Sequence, residues 1–419
     1  MQSPPGNVIQ SDSSGAIAYL RTTQAIRDRC YKMLEFACER QLEHFFCDLN
    51  AVDRAAEYVI QVMGDRYPDL QVPFHSRWRH FDVGGIDRGA QLLEHLREHD
   101  PVEVARSQFD LAITSVLLDA GAGADWRYVE PGTHLEFNRS EGLAIASFHA
   151  FCSGGFSSDG ENPYRVDAAK LRSLTESDLR QWFQVTDENP LVGLDGRLNL
   201  LHRLGHVLAQ FPAVFGSSTP RLGNLVDALL RQSQAHSLRA HQVLDAVLLY
   251  LGDIWPGRLS LDGVNLGDVW QHPALSGQTP APGLVPFHKL SQWLTYSLLE
   301  PLQNLGLTIL DLDALTGLAE YRNGGLFLDL AVLQPMYDWI WTVPHLPDST
   351  VIVEWRSLTV ALLDRVAIAI RQKLGKSTTE LPLAAILEGG TWAAGRQIAA
   401  ERRPGGTPPL QLQSDGTVF

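Results

Sequence analysis

A chain of 419 residues with 45% hydrophobic composition holds enough apolar mass for one large core or for two to three ordinary domains, which excludes a chain disordered overall. Thirty-four basic against 48 acidic residues give a net charge of −14, so the mean field repels nucleic acid and anionic membrane surfaces, and only a local basic pocket can hold an anion. No uncharged apolar run approaches the roughly 18–20 residues of a membrane span, and the opening MQSPPGNVIQSDSSG has neither a basic nor an apolar leader region, so the expectation is a cytoplasmic protein with neither a membrane nor a nucleic-acid partner.

Taken in chain order, the apolar residues recur at spacings of three and four nearly everywhere, and alternating strand patterns are scarce, which predicts a mainly α protein. Cys30, Cys38, Cys47 and Cys152 lie far apart without a CxxC, a pattern of reduced thiols rather than of a disulfide framework or zinc site. Phe109, Ala112, Ile113, Val116 and Leu117 form one helical stripe. In SLTESDLRQWF, Thr175 and Asp178 make a capping box, Leu174 and Leu179 occupy the staple positions, and Trp182 and Phe183 continue the buried face. Leu200, Leu201, Leu204, Val207 and Leu208 mark another helix. HKLSQWLTYSLLEP is expected to be a helix bounded by Pro286 and Pro301, with Lys289, Gln292 and Tyr296 along one polar face. The β-branched start of STVIVEWRSLTVALLDRVAIAIRQKLGK suits a strand, but its later period and closing Gly375 predict a long helix. CSGGFSSDGENPYR and SGQTPAPGLVP read as long loops, and no internal repeat is visible.

Familiar motifs fail their physical tests. KLGKST lacks the glycine five positions before Gly375 that a phosphate loop needs, and GAGADW lacks both the third glycine and the leading strand of a dinucleotide fingerprint. His149 and Cys152 share a helical face without a third group, which is packing rather than a catalytic dyad. His236 and His241 are five apart and no HExxH occurs, so neither a metal nor any other cofactor is called for.

Three places carry polar groups in apolar context. FHSRWRHFDVGGIDR interleaves His75, Arg77, Arg79, His80 and Arg88 with Phe74, Trp78 and Phe81, a local positive cluster suited to a phosphate or carboxylate, or else to surface acids. Lys289, Gln292 and Tyr296 form the second place. Glu320, Tyr321 and Arg322, with Glu354 and Arg356 of VEWRS, form the third. Each Glu or Arg alone reads as a structural ion pair, but burying several of them is costly unless they pair or bind something, so a shared pocket is expected.

The segments VPFHKLSQWLTYSLLEP, LTGLAEYRNGGL and GGTWAAGR, with the terminal SDGTVF, resemble the uracil catabolism protein four family, whose members serve a pyrimidine-degrading route through a ribosylurea-type intermediate; the likeness runs from about Phe74 onward. The order of segments is also similar to that of queuosine salvage proteins, all-helical N-glycosidic hydrolases related to DNA-glycosylase-like helical folds. Their Lys-Arg-Ala-Gln helix corresponds to Lys289 and Gln292, their Asp-Tyr-Arg to Glu320-Tyr321-Arg322 and their Glu-Ile-Arg to Glu354-Trp355-Arg356. This chain departs from them in having Glu320 for the aspartate, Leu290-Ser291 for Arg-Ala and glycines after Arg322.

Residues 1–15 read as a mobile N-terminus and 402–419 as a mobile or peripherally docked tail; the resemblance implies a single large helical domain, a catalytic part over 71–401 with a helical extension over 16–70 packed on it. It implies a hydrolase that cleaves the C1′–N bond of ribosylurea or its 5′-phosphate to give urea and ribose or ribose phosphate. Glu320 is then the catalytic carboxylate beside C1′, with Tyr321, Arg322, Lys289, Gln292, Glu354, Arg356, Arg77, Arg79 and His80 binding substrate, and Gly324 and Gly325 admitting close backbone approach. The small ribosyl substrate is the one partner implied, and no oligomeric state is indicated. Two rivals stay open: a metal-dependent amidohydrolase acting on a uracil-derived ureide, and a non-catalytic pathway partner.

Overall fold

The computed structural model describes residues 13–119, 121–123, 125–255 and 257–413. The terminal SDGTVF and the first twelve residues lie outside the described residues.

The helix Thr350–Leu374 is buried on nearly every face, as its all-round apolar sequence requires. Ser349 caps its start by accepting the Ile352 N–H, and Gly375, at φ 63, ends it in the left-handed region. Helices Thr23–Cys38, Val52–Arg66 and Tyr321–Asp329 pack around it. Helix Lys289–Asn304 packs on Pro101–Leu117 and Ala240–Leu251, and one mainly α domain shares a continuous core from Ile26 to Leu410. Helices Thr23–Cys38 and Val52–Arg66 belong to that core, whereas Ala16 and Leu20 of helix Ser13–Leu20 lie in a smaller cluster with Leu266, Val269 and Ala281.

Strands among the described residues are short and pair in twos. Phe45–Cys47 runs antiparallel to Leu333–Pro335 with Phe46 opposite Gln334, Ser237–Arg239 runs parallel to Thr308–Leu310, and Val269–Gln271 runs antiparallel to Leu284–Pro286. These pairs tie loops together and leave the core to helices.

Local signals held where their chemistry was complete. Thr175 and Asp178 form the reciprocal capping box, with Leu174 and Leu179 buried. The four cysteines are free thiols. The expected stop at Pro301 fails, because the helix continues to Asn304. Proline removes the N–H that would reach the Ser297 carbonyl, and the Trp78 indole N–H donates to that oxygen instead at 2.8 Å. The substitute donor comes from a segment distant in sequence.

Beyond Arg402 the chain is docked up to Gln413. Leu410 is buried, and Leu412 bridges to His345. Among the described residues no helix is long and apolar enough to cross a membrane.

Candidate functional site

Glu320 ends an irregular stretch and is the N-cap of helix Tyr321–Asp329. Its extended backbone turns both carboxylate oxygens onto the helix start, where Oε2 accepts the Arg322 N–H at 2.7 Å and Oε1 accepts the Asn323 N–H at 2.5 Å. Each oxygen keeps further acceptor capacity. The approach to Glu320 is clamped from helix Lys289–Asn304: Gln292 bonds both the hydroxyl and the N–H of Thr316, and the Tyr296 hydroxyl donates to the Thr316 carbonyl at 2.9 Å. The polar face expected on that helix exists, but two of its three members hold backbone rather than ligand.

Lys289, the third member, sits at the helix start. Asp268 accepts its backbone N–H at 2.9 Å and receives both prongs of the Arg356 guanidinium at 2.8 Å. Burial works against the Asp268 carboxylate, yet Arg356 outweighs it and holds the acid well below the usual range. Arg356 therefore anchors the helix that presents Lys289.

Glu320, Tyr321 and Lys289 meet in a cavity of about 290 Å³, together with His75, His80, Asp119, Arg139, Ser140, Trp293 and Trp392. That volume is near the lower end for small-molecule sites. Burial pushes the Glu320 carboxyl up, opposed by the two backbone N–H bonds, Lys289 and His75. Burial likewise pushes the Lys289 ammonium down, opposed by Glu320. Each charge partly sustains the other.

The two histidines alternate with Trp293 and Trp392, the four rings lying with centroids 5.6 to 6.3 Å apart. Their protons are assigned by their partners. His80 Nδ1 faces Arg77 Nη1 at 3.1 Å, and a guanidinium only donates, so His80 accepts there and carries its proton on Nε2. Burial and Arg77 push His80 down to about 4, so it is a neutral imidazole at pH 7. His75 Nδ1 lies 2.7 Å from Glu388 Oε2 and donates to it. Burial opposes charge on Glu388, but the favourable interactions of its carboxylate, led by the hydrogen bond from His75, outweigh burial and hold the Glu388 pKa below the ordinary value. Glu388 stands in the π-helical turn Ile386–Thr391 that leads into Trp392, an irregularity frequent at functional sites.

Arg77 is fully buried behind this wall, donating to Ser115 Oγ at 2.8 Å and lying 3.1 Å from Asp119 Oδ2. Ser140 Oγ also donates to that oxygen at 3.2 Å. Asp119 Oδ1 and Trp293 Nε1 are buried without a partner among the described residues. Leaving such groups unpaired costs about 1–3 kcal/mol each.

The structure thus gathers Glu320, Tyr321, Lys289 and His80 around one cavity, with Arg77 directly behind. Arg322 turns away, stacking on the Tyr321 ring and donating to the Gly406 carbonyl at 2.7 Å. Arg79 pairs with Glu300 at 2.7 Å, outside the cavity. Glu354 accepts the N–H groups of His44 and Phe45 at 3.1 and 3.2 Å, fixing the first strand. Gln292, Glu354 and Arg356 are buried framework. Gly324 also departs from expectation: a Cβ there would lie 2.7 Å from Thr359 Oγ1 and Trp355 Nε1, so the glycine serves helix packing. Gly395 of GGTWAAGR does the same against the Arg322 carbonyl.

Sequence reasoning missed Asp119, Ser140, Glu388 and Trp392. Asp119 follows the C-cap of the hydrophobic helix Pro101–Leu117, the position that deserved suspicion.

Fold and site together define a helical domain with a buried, polar-walled cavity of small-molecule size. The chain belongs to the family described as "Protein of unknown function (DUF1688)", whose model matches residues 19–419. It is similar to "Protein urg3" of Schizosaccharomyces pombe, at 38% identity over 97% of this chain and 100% of that protein. It is similar too to "Uracil catabolism protein 4" of Lachancea kluyveri, at 38% identity over 96% of this chain and 99% of that protein.

Proposed function

We propose that this protein acts in uracil catabolism as an N-ribosyl hydrolase, cleaving the C1′–N bond of ribosylurea or its 5′-phosphate to release urea. The relative named for uracil catabolism supports the pathway. The observation that carries the reaction is Glu320, buried at the cavity with both oxygens fixed by backbone N–H groups and Lys289 beside it.

Breaking a ribosyl C–N bond builds positive charge on C1′ and the ring oxygen, and a carboxylate fixed beforehand stabilises that charge without reorganising. The bond's electron pair leaves on the urea nitrogen, which takes a proton from Lys289, an ammonium made more acidic by burial. Water attacks C1′ and gives its proton to Asp119, whose Oδ1 has no other partner among the described residues. His80 Nε2–H, Trp293 Nε1–H and the Tyr321 hydroxyl supply donors for sugar hydroxyls or the urea carbonyl, while the two tryptophans exclude water.

The amidohydrolase reading wants a metal or a nucleophile. Among the described residues no three His, Cys, Asp or Glu are grouped to hold a metal ion, and burial pushes the Cys47 and Cys152 thiols up to about 12. The test is urea release, coupled to urease, from ribosylurea and its 5′-phosphate by the wild type and by Glu320→Gln. Release by the wild type that the variant loses supports the reading; no release from either substrate overturns it.

A further inference from the structure

Beside the Glu320 cavity lies a second depression of about 550 Å³, lined by Arg139, Arg322, Arg396, Arg402 and Arg403, with Glu401 the one acid among its lining residues. With Glu141 and Asp329, which pair with two of them, these five arginines face three acids, an excess of two positive charges in a chain of net charge −14. Like charges gathered at one place repel and are retained where an anion neutralises them. Three of these side chains have protein partners: Arg322 with Gly406, Arg396 with Glu141 at 2.9 Å, and Arg403 with Asp329 through two bonds of 2.6 Å. Arg139 and Arg402 are exposed and have no partner among the described residues.

Arg139 lines both spaces. It is the first residue of helix Arg139–Cys152, is held at φ 51, and follows Asn138, whose side chain makes no capping bond. The start of a fourteen-residue helix without a side-chain cap therefore lies at the residue that the two spaces share. Tyr321 lines the first space and Arg322 the second, with the Arg322 guanidinium 4.9 Å from the Tyr321 ring centroid. Arginine forks and a free helix start match the oxygens of a phosphate monoester better than a single carboxylate.

We propose that the substrate carries a phosphate, seated at this junction on Arg139 and the helix start with Arg402 and Arg396 around it, while its sugar enters the Glu320 cavity. Resting on the ribosyl reading, this selects the 5′-phosphorylated substrate over the free riboside. The phosphate supplies binding energy remote from the C1′–N bond, and that energy holds the sugar against Glu320.

The test is calorimetric titration of the full chain with ribose 5-phosphate, ribose and orthophosphate as separate titrants. The wild type should bind ribose 5-phosphate on the order of a hundredfold more tightly than ribose, with orthophosphate between them. Arg139→Ala/Arg402→Ala, which removes two exposed side chains without a protein bond, should weaken ribose 5-phosphate by roughly tenfold or more beyond its effect on ribose. Arg97→Ala/Arg231→Ala removes the same charge elsewhere and should change neither. Equal affinity for ribose and its phosphate, an unaffected double variant, or orthophosphate binding as tightly as ribose 5-phosphate would each overturn the proposal. Because no turnover is read, phosphate binding through these arginines without urea release would sink the hydrolase reading and leave the anion site standing. Urea release from unphosphorylated ribosylurea, indifferent to the arginines, would do the reverse.

Discussion

Replacing Arg77 by Met tests whether the cavity wall is held by a buried ion pair. The substitution keeps the length of the side chain and removes its charge. It deletes the donors to Ser115 Oγ and His80 Nδ1 and leaves Asp119 with the Ser140 hydroxyl, 3.2 Å away, as its remaining partner in the wall. Breaking one side of a buried pair costs about 3–5 kcal/mol, mostly the stranded charge. If so, Arg77→Met/Asp119→Asn, which removes both charges, should lose only the neutral hydrogen bonds, about 1–2 kcal/mol in all. The double variant should therefore be about 2–3 kcal/mol more stable than Arg77→Met alone. Guanidinium unfolding at pH 7, followed by far-UV circular dichroism for wild type, both single variants and the double, measures it. A double variant no more stable than Arg77→Met would refute the ion-pair explanation.

Two further outcomes follow from the same wall. Trp293→Phe keeps a ring between the histidines and deletes an N–H without a protein partner, so ribose 5-phosphate binding should weaken by roughly five- to tenfold while the unfolding midpoint moves little; a large midpoint loss with unchanged binding would contradict a ligand role. His80 is held at about 4 in the fold against 6.5 when free, so between those values the unfolded chain takes up a proton that the folded one refuses. Its stability contribution is complete above about pH 6.5 and is lost as pH falls toward 4. The midpoint of His80→Gln, followed from pH 7.5 to 4.5, should therefore fall less steeply than that of the wild type, and identical slopes would contradict the assignment.

What the sequence disclosed followed the range of the interaction. Periodicity and caps are local, so the capping box at Thr175 and the helix closing at Gly375 were readable. The passage of a helix through Pro301 was not, because the donor that satisfies Ser297 comes from Trp78, over two hundred residues away. The site divides in the same way. Acids and bases in apolar settings flagged Glu320, Lys289 and His80, and the cavity unites them. The same signal flagged Glu354 and Arg356, since a buried framework ion pair and a site residue look alike until the partner is known; here the partners are backbone N–H groups and Asp268. Asp119 and Glu388 were overlooked because their meaning rests on Arg77 and His75, which meet them only in the fold.

The Glu320 carboxylate carries the central claim, and it is also a helix cap, so its removal must be read for chemistry apart from folding. Glu320→Gln should lose about 1 kcal/mol of cap stability and remain folded. Single-turnover release of urea from ribosylurea 5′-phosphate, measured for wild type and variant at saturating substrate, is the most direct measurement. The predicted result is a rate lower by about a thousandfold or more in a variant whose circular dichroism matches the wild type. Urea released at the same rate by both would show that Glu320 only caps its helix, and would contradict the assignment of the site.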